Sequence, residues 1–123
     1  YSFNTVHHLI STITAEMREN KKFTDVLKAA FPMGSMTGAP KLRAMQLIEE
    51  FEVTKRGLYS GAVGYITPTA DFDFNVVIRS ILYNKEKKHL SLQVGSAITH
   101  LAKASQEYEE CLLKAEAVVA AIS

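Results

Sequence analysis

The chain has 123 residues, 47% hydrophobic and 22% charged, the balance of one globular domain rather than a disordered tail, and no apolar run approaches the length of a membrane span. Fourteen basic against thirteen acidic side chains leave a net charge of +1, too little for a nucleic-acid binder working by bulk charge. Cys111 is the single cysteine, which excludes an intramolecular disulfide and a multi-cysteine zinc site and makes a reducing, cytoplasmic setting the expectation.

The chain opens on Tyr1-Ser2-Phe3-Asn4, with no initiator Met and no signal-peptide pattern, as expected of a piece of a longer polypeptide. Val6 to Ile13 is β-branched and apolar and reads as a strand, with a helix extending through Met17, Arg18 and Glu19 as the competing reading. Thr24-Asp25 starts a short helix over Val26–Ala30, and Pro32 ends it. Residues 33–39 form a loop of small residues. Pro40 then opens a helix to Phe51, because proline suits a position whose N–H has no partner and Leu42, Met45, Ile48 and Phe51 recur at helical spacing.

Antiparallel sheet is expected next: one strand over Gly61–Thr67, a long one over Asp71–Tyr83, a polar turn at 84–88 and a third over His89–Ile98. In the third, Leu90, Leu92, Val94 and Ile98 share one face, while the small residues of the other, Gly95 among them, let a ligand approach the backbone. A helix over Ser105–Ala121 closes the chain, with Tyr108, Cys111, Leu112, Ala115, Val118, Val119 and Ile122 as its apolar stripe. Strands and helices are partly segregated, so the fold class is α+β.

Four features bear chemistry. Gly34-Ser35-Met36-Thr37-Gly38-Ala39-Pro40-Lys41 is not a phosphate loop, because Ala39 and Pro40 separate the glycine from the lysine and Leu42 follows it. It is either a small-residue turn offering N–H groups to an anion or a plain helix start, the two readings being balanced. Glu107, Glu110 and Lys114 recur at i, i+3, i+7 on one side of the last helix: two carboxylates one turn apart suit Mg²⁺, whereas the residues alone favour an exposed Glu110–Lys114 pair. Arg79, amid Val76, Val77, Ile78 and Ile81, is either a fork for a carboxylate or an edge-strand arginine facing water. His7 and His8 point to opposite faces of a strand, and no Ser–His–Asp arrangement follows from the spacing. Cys111 reads as a small buried hydrophobe.

Phe31-Pro32-Met33-Gly34-Ser35-Met36-Thr37-Gly38-Ala39-Pro40-Lys41-Leu42-Arg43-Ala44-Met45 closely resembles the signature of the chorismate-utilising enzymes. So do Arg56-Gly57-Leu58-Tyr59-Ser60-Gly61-Ala62-Val63-Gly64-Tyr65, Asp73-Phe74-Asn75-Val76-Val77-Ile78-Arg79-Ser80 and Glu107-Tyr108-Glu109-Glu110-Cys111-Leu112-Leu113-Lys114-Ala115, in the family's order and over most of the chain. Gly-Ser-Met-Thr-Gly-Ala-Pro-Lys and Asp-Phe-Asn-Val are similar to the aminodeoxychorismate synthase branch (component I) more than to the anthranilate synthase branch.

The resemblance implies an antiparallel β sandwich with outer helices. It also implies chorismate as substrate, Mg²⁺ as cofactor, and replacement of the C4 hydroxyl by an amino group whose ammonia comes from a glutamine amidotransferase subunit or domain. By matched position, His8 resembles the pocket histidine near the ring hydroxyl and Thr37 the loop hydroxyl near C4. Tyr65 and Arg79 resemble the grip on the enolpyruvyl carboxylate. Gly95 and its neighbours, Ser96 among them, would offer N–H groups to the ring carboxylate, with Lys114 supplying charge. Glu107 and Glu110 resemble the Mg²⁺ ligands or the groups just behind them, and the resemblance thereby reverses the balance at this helix.

Two departures stand out. Ala97 replaces a family glycine, and Leu101-Ala102-Lys103-Ala104 replaces an Asp-Ser-x-Pro turn. The family's Pro-Ile-Lys-Gly-Thr block with its lysine nucleophile, an upstream Mg²⁺-binding glutamate and an Arg-Asn-Asp block are not in this chain. Residues 1–123 are therefore expected to be roughly the C-terminal third of such a catalytic domain, to need the upstream part of the same chain, and to be inactive alone. A non-catalytic binding module with the same fold is the alternative from another class.

Overall fold

The computed structural model describes residues 1–2 and 7–122. They fall into two units, 1–31 and 32–123, each considered by itself.

In the first unit, Ser2 and His7 form an isolated antiparallel bridge. The His8 N–H donates to the Tyr1 carbonyl at 2.8 Å, and the Tyr1 ammonium donates to the His8 carbonyl at 2.9 Å. Val6, where the expected strand begins, lies outside the described residues. Beyond the bridge at His7, residues 8–13 are neither strand nor helix. The reason is pairing: a β-branched run becomes a strand only against a neighbour, and Leu9 and Ile13 are fully open to solvent. Helix α1 spans Phe23–Ala30. It starts where the Asp25 carboxylate accepts the Lys22 N–H at 2.9 Å, and it stops at an extended Phe31 because the residue before a proline avoids helical geometry.

The second unit begins with a short 3₁₀ turn, Gly34–Met36. Helix α2 follows at Lys41–Phe51. Pro40 flanks it, its carbonyl accepting the Ala44 N–H at 3.0 Å. Strand β1 (Ala62–Ile66) pairs antiparallel with β2 (Phe72–Val76), from Ala62 opposite Val76 to Ile66 opposite Phe72. Strand β3 (Ile81–Asn84) pairs antiparallel with β4 (His89–Leu92), from Ile81 opposite Leu92 to Asn84 opposite His89. The two hairpins are separate two-stranded sheets. Helix α3 spans Ala104–Val119. The class is α+β.

Two expected strands need correction. Asp71–Tyr83 is broken between β2 and β3. There the Ile78 N–H folds back to the Val76 carbonyl at 3.0 Å, the Ser80 hydroxyl donates to the Ile78 carbonyl at 2.8 Å, and Arg79 takes φ +48°. Arg79 is therefore not a strand residue. It sits in the left-handed region that side chains other than glycine seldom adopt. The same break shortens the third strand: continuing the register beyond Ile81–Leu92 would set residue 93 against residue 80, where the partner backbone has already turned away. Residues 93–98 thus leave the ladder and form a loop carrying Gly95 and Ser96.

Gly64 keeps the β1–β2 hairpin close. A Cβ there would lie 2.0 Å from the Asp73 carbonyl oxygen and 2.7 Å from the Phe74 ring. Gly64→Ala is expected to pry the strands apart at a cost of about 1–3 kcal/mol, read as a lower urea midpoint of the full-length protein.

No described residue is fully buried. Part of the α3 stripe is exposed too, with Tyr108 at 64% and Val119 at 51% of their full surface, while Cys111, Ala115 and Val118 are half-buried. Among the described residues no helix is long and apolar enough to cross a membrane.

Candidate functional site

The loop after β4 and one side of α3 converge. Helical spacing places Glu107, Glu110 and Lys114 on that side, and the loop brings Gly95 and Ser96 over it. The Ser96 hydroxyl donates to the Glu107 carboxylate, and the Lys114 ammonium donates to the Gly95 carbonyl at 3.0 Å. Lys114 also forms an ion pair with Glu110. Ser96, Glu107 and Lys114 are half-buried, while Glu110 faces out.

The Lys114 ammonium, through its hydrogen bond and its charge, holds the Glu110 carboxyl below the usual glutamate range. The Ser96 hydroxyl and the Arg79 guanidinium add to this, against a small opposing effect of burial. Arg79, at the break between the hairpins, is thus in electrostatic reach of Glu110. Five of the residues singled out from the sequence are joined by contacts, and Arg79 reaches them through its field.

The remaining three stand apart. Thr37, half-buried in the loop before α2, donates its hydroxyl to the Met33 carbonyl at 3.0 Å. The Met36 and Thr37 N–H groups are spent on the Met33 and Gly34 carbonyls, which leaves these two amides unavailable to an anion. Tyr65 lies on β1 opposite Asp73 and is 62% exposed, and among the described residues no hydrogen bond joins it to Arg79. His8 lies in the first unit, while the cluster lies wholly in the second.

A second set of residues, not singled out from the sequence, underlies the cluster. A Cβ on Gly95 would lie 2.7 Å from the Tyr59 hydroxyl oxygen, so that ring edge abuts the loop. Above the Tyr59 ring, 5.9 Å from its centroid, sits the Arg56 guanidinium. Arg56 donates through Nε to Glu52 at 2.7 Å and through Nη2 to the other Glu52 oxygen. Its Nη1 donates to the Met36 carbonyl at 2.7 Å and to the Ser60 hydroxyl at 3.1 Å. The signal that could have found it is the i, i+4 spacing of Glu52 and Arg56 just past the end of α2.

The Arg56 hydrogen bond also depresses the Glu52 carboxyl, burial opposing it. A depressed carboxyl contributes stability that is present above the ordinary glutamate range, about 4.3, and lost as pH falls through the folded value. With the two side chains 22% and 39% exposed, the contribution is about 0.2–1 kcal/mol. Urea midpoints of the full-length protein should therefore fall more steeply with acid in wild type than in Glu52→Gln.

Glu107 and Glu110 are oxygen donors of the type a hard divalent cation takes, and here each is engaged by Ser96 or Lys114. Two carboxylates one turn apart are what Mg²⁺ takes from a protein when waters and substrate oxygens complete its shell. Among the described residues no group of three or more histidine, cysteine or acidic side chains gathers to hold a metal. Lys114 and Arg79 supply positive charge beside Glu110.

Comparison of the sequence with known proteins places the chain in a family. Residues 1–120 match the family model described as chorismate binding enzyme. A probable chloroplastic aminodeoxychorismate synthase from Oryza sativa subsp. japonica is 45% identical over 117 residues, 94% of this chain and 13% of that protein. The aminodeoxychorismate synthase of Streptomyces griseus is 44% identical over 93% of this chain and 16% of its own length. Anthranilate synthase component 1 of Aquifex aeolicus (strain VF5) is 41% identical over 98% of this chain and 24% of its own. The chain thus spans a quarter or less of these relatives, and on the match of 120 of its residues it belongs to the chorismate-binding enzyme family.

Proposed function

We propose that the protein containing this chain is an aminodeoxychorismate synthase of the component I type, which replaces the C4 hydroxyl of chorismate by an amino group to give 4-amino-4-deoxychorismate. The observation that carries the reading is the joining of Gly95 and Ser96 to Glu107, Glu110 and Lys114. In it, an ammonium, a hydroxyl and two carboxylates gather beside the Gly95–Ser96 backbone, groups suited to a carboxylated ligand. The motif Gly34–Lys41 and the two aminodeoxychorismate synthases at 45% and 44% identity support the branch.

In this reading Lys114 gives up part of its resting contacts with the Gly95 carbonyl and Glu110 and turns to the ring carboxylate of chorismate. Glu110, released from Lys114, and Glu107, released from the Ser96 hydroxyl, become available to Mg²⁺. Bound there, Mg²⁺ supplies positive charge that neutralises and orients the dianionic substrate. The backbone N–H groups around Gly95 and Ser96 bind the same carboxylate. Arg79, with Tyr65, holds the enolpyruvyl carboxylate. The Thr37 hydroxyl faces the ring near C4; for His8, in the first unit, the matched motif alone supports a role toward the ring hydroxyl.

The ammonia comes from a glutamine amidotransferase subunit or domain, and the upstream part of the same chain completes the site. That no described residue is fully buried, and that the chain spans so little of its relatives, supports the second requirement. Its apolar faces, the α3 stripe among them, are then covered by the rest of the parent protein.

The anthranilate branch is the second reading, favoured by the Aquifex aeolicus relative at 41% identity over 98% of this chain. Product analysis of the full-length protein, given chorismate, Mg²⁺ and ammonia, separates them. 4-Amino-4-deoxychorismate is the expected product. Anthranilate with pyruvate would select the second reading, and binding without turnover a non-catalytic module.

A further inference from the structure

We infer that Arg56 is a positioning residue that sets the substrate-facing loop of Thr37 and the Gly95 loop from a single guanidinium, an inference that rests on the function proposed above. The peptide between Met36 and Thr37 is one rigid plane, so fixing its two polar ends fixes the approach of Thr37. At one end the Met36 carbonyl accepts from Arg56 Nη1 at 2.7 Å; at the other the Thr37 N–H donates to the Gly34 carbonyl at 3.3 Å. The Thr37 hydroxyl is itself tied to the Met33 carbonyl at 3.0 Å, so the whole of 33–37 moves with that peptide.

The opposite edge of the guanidinium is held by both oxygens of Glu52, which leaves the fork no freedom to rotate. Its face lies over Tyr59, whose hydroxyl abuts Gly95. The same Nη1 also bonds the Ser60 hydroxyl, and the Ser60 N–H donates to the Val77 carbonyl at 3.0 Å, two residues before Arg79. One side chain thus ties together the loop with Thr37, the end of α2, the turn before β1 and the ring beside Gly95. A lysine carries the charge but not the planar fork, and it cannot satisfy Glu52 and Met36 from two edges at once.

The test is a double-mutant cycle in the full-length protein, with kcat and KM for chorismate measured for Arg56→Lys, Thr37→Ala and the double variant. Arg56→Lys should lower kcat about 10- to 100-fold, the cost of a misplaced reacting group. Its KM should stay within about threefold of wild type, and the double variant should be little worse than the poorer single one. Losses that multiply, a rise in KM alone, or a lower melting temperature with unchanged kcat would each overturn the inference while leaving the proposed function standing. A Thr37→Ala enzyme with wild-type kcat would overturn both the inference and the role proposed for Thr37. If Arg56→Lys does not fold, Glu52→Gln, which loosens the same fork while leaving the guanidinium in place, takes its corner of the cycle with the same reading of outcomes.

Discussion

Glu110→Gln in the full-length protein is expected to raise the Mg²⁺ concentration for half-maximal turnover by at least about tenfold, or to abolish turnover. The glutamine keeps the length of the side chain and nearly the helix propensity of glutamate, so α3 should persist. What it loses is the negative charge that a hard cation requires. It also frees Lys114 from an ion pair that holds Glu110 ionised, so the lysine should favour its bond to the Gly95 carbonyl. The check is a Mg²⁺ titration of activity for both proteins, with circular dichroism as the folding control. Superimposable titrations would return Glu110 to the role of half a surface ion pair.

Arg79→Ala should weaken chorismate binding by roughly 1.5–3 kcal/mol, the worth of a charge-assisted bidentate bond, or about 10- to 150-fold in KM. Its backbone makes a sharper control possible. Arg79 sits at φ +48°, a conformation that glycine takes without cost and other residues do not. Residues held in such regions persist where their surroundings impose them, and functional sites are where they gather. Arg79→Gly should therefore fold at least as well as Arg79→Ala while losing chorismate to the same extent. If KM for chorismate is unchanged in either variant, Arg79 does not hold the substrate.

How much was legible in the sequence depended on whether the deciding partner lay nearby. Helices α2 and α3 were readable because their stripes recur at helical spacing, and that spacing alone put Glu107, Glu110 and Lys114 on one side. The β1–β2 hairpin was readable because both strands flank a turn. The break at 77–80 was not, since Val76, Val77 and Ile78 look like strand on either side and nothing in an arginine announces a left-handed backbone. The loss of strand beyond Leu92 follows from that break, because a strand ends where its partner turns away. Residues 9–13 carry strand propensity, but among the described residues no strand pairs with them.

At the site, Ser96 was read as a neighbour of Gly95, and its hydroxyl's bond to Glu107 joins residues 11 apart that only the fold brings together. Arg56 stands in the motif Arg56–Tyr65, but its role rests on contacts only the fold makes: its bond to Met36 spans 20 residues, and its ring partner Tyr59 meets Gly95.

The most direct test of the proposed site is a crystal structure of the full-length protein with chorismate and Mg²⁺. The ring carboxylate should lie within hydrogen-bond distance of the Gly95–Ser96 backbone and the Lys114 ammonium. Glu107 or Glu110 should be a ligand of the metal, and the Lys114–Glu110 pair should be opened. Chorismate bound elsewhere, with Lys114 still paired to Glu110 and Ser96 still on Glu107, would contradict it.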